Sequence, residues 1–133
     1  LKLAREHAER AGMSRHIHFQ VGDAANISSR YSHGVIVTNP PYGERLSGGE
    51  ELFELYRAFG KSFSSLDEWS AYVITSCRSF EKHFGKRADR VRVLYNSEIE
   101  CRLYRFLGAP PKGRRGADDA LHRDFPNPEG DCQ

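Results

Sequence analysis

GVIVTNPPYG, residues 34–43, is the stretch whose reading decides the fold. Residues 34–38 form a continuous β-branched run, the pattern of a strand buried on both faces in a parallel sheet. Asn39-Pro40-Pro41-Tyr42-Gly43 then stops it, because the two prolines lack an N–H and fix φ, so neither can extend a ladder. In α/β sheets ligands bind just outside the carboxyl ends of the strands, which makes this turn the first place to look for chemistry.

Reading outward, residues 1–12 place Leu1, Leu3, Ala4, Ala8 and Ala11 at helical spacing, with Gly12 as a stop. Residues 16–21 alternate so that Ile17, Phe19 and Val21 share a face, which predicts a strand ending at Gly22-Asp23. Leu52, Phe53, Leu55, Tyr56, Phe59 and Phe63 predict a helix over about residues 50–64. Residues 69–76 read as a buried strand, 80–84 as a short helix, and 90–95 with 99–106 as a hairpin turning at Asn96-Ser97. The order helix, strand, strand, helix, strand, helix, hairpin is that of an α/β sheet, mostly parallel and closed by an antiparallel ribbon. From Ala109 the chain is rich in Pro, Gly and mixed charge, so residues 1–108 are expected to fold and 109–133 to form a flexible tail.

Composition narrows the class. In 133 residues, 38% are hydrophobic and 29% charged, as in a globular domain, and no apolar run approaches the roughly 20 residues that cross a bilayer. A formal charge of +2 does not by itself point to nucleic acid. Three dispersed cysteines, Cys77, Cys101 and Cys132, suit neither a disulfide framework nor a zinc cluster, and a reducing cytoplasm is the expected compartment. The chain opens at Leu1 within a helical pattern and without an initiator Met, so the gene product is expected to extend further on that side.

The Asn-Pro-Pro-Tyr turn answers a chemical problem. An exocyclic amine on a base is a poor nucleophile because its lone pair is delocalised into the ring. The Asn39 side-chain oxygen and the Pro40 carbonyl can each accept one amino hydrogen, localising the lone pair and aiming it at a methyl group. Pro40 and Pro41 hold the turn at little conformational cost, Tyr42 offers a face on which an extruded base can stack, and Gly43 lets the backbone turn away.

Asn39 to Tyr42 resembles motif IV of class I amino-methyltransferases, and the longer run TNPPYGERL, residues 38–46, resembles the THUMP-associated ribosomal RNA guanine-N2 methyltransferases. The similarity continues through LFELYRAFG, residues 52–60, and LYNSEIEC, residues 94–101, up to about Leu107. The resemblance implies a Rossmann-like class I methyltransferase sheet, here partial, ending in an antiparallel hairpin. It implies S-adenosylmethionine as methyl donor, with Asn39, Pro40, Pro41 and Tyr42 at the amine and Asp23 and Ala24, together with Asn39, on the cofactor side. It implies ribosomal RNA, or alternatively transfer RNA, as partner, and no metal.

The glycine-rich loop after the family's first strand, and the acidic residue ending its second, have no counterpart in these residues. In the family order 3-2-1-4-5-7-6 those strands would lie between residues 16–21 and 34–38, leaving a gap of roughly 14 Å if both were lacking. Oligomerisation or strand exchange between copies would be one way to fill it. Two rivals stay open: the same chemistry on another amine, such as adenine N6 of DNA, and a chain that binds RNA or a partner without catalysis.

Other residues invite structural readings. Gly22-Asp23 is also an ordinary turn pair. His16 and His18 share a strand face without further ligands, and Cys77 lacks a matched base. Arg45, Arg78, Lys86 and Arg87 suit a solvated surface, and acidic neighbours offset the basic run at 112–115.

Overall fold

The computed structural model describes residues 1–41 and 49–111. Its elements in chain order are α1 (Lys2–Arg10), a 3₁₀ turn (Ala24–Asn26), β1 (Val35–Thr38), α2 (Gly49–Ser64), β2 (Ser70–Thr75), α3 (Phe80–Phe84), β3 (Arg90–Asn96) and β4 (Ile99–Phe106). The strands form one sheet in the order β1-β2-β4-β3. β1 and β2 are parallel, with Thr38 opposite Val73, while β4 runs antiparallel to both β2 and β3. The last strand, β4, thus lies between β2 and β3, and β3 forms the far edge of the sheet.

The core lies between this sheet and the helices α2 and α3. Ala71 and Val73 of β2 and Tyr104 and Phe106 of β4 meet Tyr56, Phe59, Phe63, Phe80 and Phe84, all buried. Rings dominate the contact: Phe84 lies 4.7 Å from Phe106 and 5.2 Å from Phe59, and Phe80 lies 5.1 Å from Tyr104 between centroids. Such pairs contribute about 0.5–1.5 kcal/mol each beyond their burial.

Local signals end the helices where the sequence places them. At α1 the N–H of Gly12 bonds the carbonyl of Glu9 and that of Met13 bonds Ala8, with Gly12 at φ 67°, a Schellman arrangement that only glycine enters without steric cost. Gly85, at φ 78°, closes α3.

One predicted strand does not form. Residues 16–21 have no ladder partner in the described sheet, and Val21 is 81% exposed. A strand needs a neighbour to satisfy its N–H and C=O groups, and the strand closest in sequence, β1, forms an edge whose Val37 is itself 77% exposed. The hairpin turn also shifts by one residue: Asn96 pairs with Ile99 as the last residue of β3, leaving Ser97 and Glu98 as the two turn residues. The predicted tail lies outside the described residues from 112 onward; before that, the Ala109 N–H donates to Glu68 Oε2 at 2.6 Å and its carbonyl meets His33 Nδ1 at 3.0 Å.

Candidate active site

Because β1 and β2 are parallel and in register, their carboxyl ends lie on one side of the sheet. Asn39, Pro40 and Pro41 leave β1 there, with Asn39 and Pro41 exposed and Pro40 half-buried. Thr75, fully buried, ends β2 two residues beyond the partner of Thr38. Tyr56 of α2, also fully buried, joins the two ends: its hydroxyl donates to the Pro41 carbonyl at 3.1 Å and lies 3.1 Å from Thr75 Oγ1. Among the described residues neither the Asn39 side chain nor the Pro40 carbonyl is taken by a hydrogen bond, so both remain available as acceptors. Tyr42, the predicted stacking residue, lies outside the described residues, as do Gly43 and Arg45.

The second predicted turn is built differently. Asp23 caps the 3₁₀ turn, its Oδ1 accepting from the Ala25 N–H at 2.9 Å. Ala24 packs against the core, and the Ser62 hydroxyl of α2 donates to the Ala25 carbonyl. Beside this turn an open cleft of about 620 Å³ is lined by Gln20, Gly22, Asp23, Ala24, Asn26 and Ile27 among others. An exposed carboxylate on the wall of a cleft is suited to accept from an amino group, which fits the adenine end of the implied cofactor. The two turns share α2 as their scaffold: Pro41 is held by Tyr56 and Ala25 by Ser62, six residues and about 9 Å along the helix axis.

Tyr56 and Thr75 were not singled out from sequence as site residues. The available signal was a tyrosine among the Leu and Phe residues that give α2 its apolar periodicity, since a buried phenol needs a partner for its hydroxyl. Burial raises the pKa of both Tyr56 and Tyr104, so each stays a neutral donor well above neutral pH.

Several charged or reactive side chains have structural partners. Arg78 pairs with Glu100 at 3.4 Å, Lys86 stands 5.3 Å over the Phe63 ring, and Cys77 Sγ lies 3.4 Å from Ser79 Oγ. Among the described residues no group of three His, Cys, Asp or Glu could hold a metal, and no helix is long and apolar enough to cross a membrane.

Residues 1–105 match the UPF0020 family, the RMKL-like methyltransferase domain, and the chain belongs to it. Relatives include YpsC of Bacillus subtilis, 34% identical over 90% of this chain and 31% of its own length. The ribosomal RNA large subunit methyltransferase K/L of Methylococcus capsulatus is 37% identical over 84% of this chain and 15% of its own. Among solved structures, SMU.472 in complex with SAH superposes with a TM-score of 0.77 at 33% identity, over 84% of this chain and 29% of that one. A Listeria monocytogenes protein described as a predicted N6-adenine-specific DNA methylase gives 0.71 at 37% identity, over 81% and 27%. The chain therefore spans less than a third of these proteins, and the cofactor that family membership implies is S-adenosylmethionine.

Proposed function

We propose that the polypeptide carrying this chain transfers a methyl group from S-adenosylmethionine to the exocyclic N2 amine of guanine in 23S ribosomal RNA, in the cytoplasm, and that residues 1–108 supply the substrate side of its catalytic domain. The observation that carries the reading is the Asn39-Pro40-Pro41 turn at the carboxyl end of a parallel strand, with the Asn39 side chain and the Pro40 carbonyl both open as acceptors among the described residues. Two acceptors can hold both hydrogens of an amine and turn its lone pair toward the methyl sulfonium, so that direct displacement needs neither a strong base nor a covalent enzyme intermediate. S-adenosylmethionine supplies the electrophilic methyl group. Asp23 and Ala24 line the cleft assigned to its adenosine, and Asn39 is assigned to the amine with a second contact to the cofactor. Tyr42 follows directly in sequence as the stacking residue.

The test is methyl transfer by the full-length protein from labelled S-adenosylmethionine to 23S ribosomal RNA lacking the modification, followed by nucleoside analysis. N2-methylguanosine in 23S RNA is the expected product. Label confined to transfer RNA guanine or to DNA adenine would reassign the substrate, and cofactor binding without transfer to any of them would favour a non-catalytic role.

A further inference from the structure

We propose that Tyr56 is a positioning residue for methyl transfer, holding the Asn39–Pro41 turn through a hydrogen-bond relay of fixed direction that runs from the end of β2. The inference rests on the reading of that turn as the amine-binding site.

The direction follows from counting protons. The Pro41 carbonyl can only accept, so the single Tyr56 hydroxyl proton is committed to it, at 3.1 Å. Tyr56 Oη must then accept across its 3.1 Å contact with Thr75 Oγ1, which commits the Thr75 proton to Tyr56. Thr75 Oγ1 in turn accepts from the Cys77 N–H at 3.1 Å. Every donor in the relay has one acceptor, and both side chains are fully buried, so neither hydroxyl has water as an alternative partner.

The relay acts where the turn is soft. The rings of Pro40 and Pro41 fix both φ angles, leaving ψ at these residues as the principal freedom of the segment that carries the Asn39 and Pro40 acceptors. With β1 fixed on one side, pinning the Pro41 carbonyl constrains ψ at Asn39, Pro40 and Pro41 together, and with them the peptide plane that carries the Pro40 carbonyl. The phenol is itself held edge-on to Phe80, 4.8 Å between centroids and 80° between planes, on the core side of α2. Aim at the amine is thus set from the aromatic core rather than within the exposed turn.

The experiment uses the full-length enzyme and whichever nucleic acid the wild type methylates. Tyr56→Phe keeps the ring and removes the hydroxyl. It is expected to lower kcat roughly tenfold while KM for the nucleic acid and the affinity for S-adenosylmethionine stay within about twofold. Phe63→Leu, which loosens the core at Phe84 and Phe106 away from the relay, should lower the melting temperature with kcat retained below the transition. Thr75→Val, which removes the proton committed to Tyr56, should lower kcat in the same direction as Tyr56→Phe. Hydrogen exchange of the peptide spanning residues 36–44 should be roughly three- to tenfold faster in Tyr56→Phe, a reading that needs no activity. Unchanged kcat and exchange in Tyr56→Phe would overturn the proposal, as would an equal loss of kcat in Phe63→Leu. Faster exchange in an enzyme whose wild type methylates no amine would retain the anchor and reject the proposed function of the turn.

Discussion

Gly60 of α2 and Phe84 of α3 meet backbone to backbone: a Cβ built on Gly60 falls onto the Phe84 carbonyl oxygen, far inside contact distance. The two helices can approach this closely only because residue 60 has no side chain, and the approach lets Phe59 and Phe63 close on Phe84. Gly60→Ala would gain up to about 1 kcal/mol in helix propensity, but the obstructing atom is backbone and cannot swing aside. We expect a net loss of about 1–3 kcal/mol, read as a lowered denaturation midpoint of the full-length protein. An unchanged or raised midpoint would show that α3 shifts freely.

The observed capping role of Asp23 and its proposed role at the cofactor can be separated. Its Oδ1 caps the 3₁₀ turn at Ala25, and its carboxylate faces the cleft assigned to the adenosine. Asp23→Asn keeps an oxygen for the cap while removing the charge, whereas Asp23→Ala removes both. The expected outcome is a roughly tenfold weaker affinity for S-adenosylmethionine in Asp23→Asn with stability nearly unchanged, and an added loss of about 1 kcal/mol of stability in Asp23→Ala. Calorimetry on the full-length protein checks this, and full affinity in both variants would leave Asp23 with only its cap.

In the proposed function Asn39 accepts from the substrate amine, so its truncation should act on the chemical step. In the full-length enzyme Asn39→Ala is expected to reduce turnover by about a hundredfold or more and to leave S-adenosylmethionine affinity nearly unchanged. Equal loss of both, measured by steady-state kinetics beside cofactor titration, would place Asn39 in the cofactor pocket instead.

What could be read from the sequence follows from how local each signal is. α2, α3, β1, β2 and β4 were legible because helical periodicity and short apolar runs are properties of neighbouring residues. The strand expected at residues 16–21 was not secure, because alternation records a face and cannot supply a ladder partner. The hairpin shifted by one residue for a conformational reason. Ser97 sits at φ 57° as the first of two turn residues, a place that glycine fills most easily, and the pairing of Asn96 with Ile99 outweighs that strain. At the candidate site Asn39, Pro40 and Pro41 were legible from chemistry contained in the turn. Tyr56 and Thr75 act across 15 and 34 residues of chain from Pro41, distances that only the fold closes.

The buried phenols give a pH signature. Desolvation, the largest cause for both Tyr56 and Tyr104, raises each pKa above the ordinary value of 10.0. Between that value and the raised folded-state values the unfolded chain has released protons that the folded chain still holds. Stability is therefore intact below about pH 10 and falls as pH rises above it. Tyr56 and Tyr104 should release their phenolic protons only above pH 10 when phenolate absorbance is followed, as the fold opens. Tyr56→Phe should remove one late-titrating group and make the alkaline loss of stability shallower than in the wild type. Denaturant midpoints of the two proteins, compared on either side of pH 10, decide it: parallel alkaline losses would mean that Tyr56 ionises without opening the core.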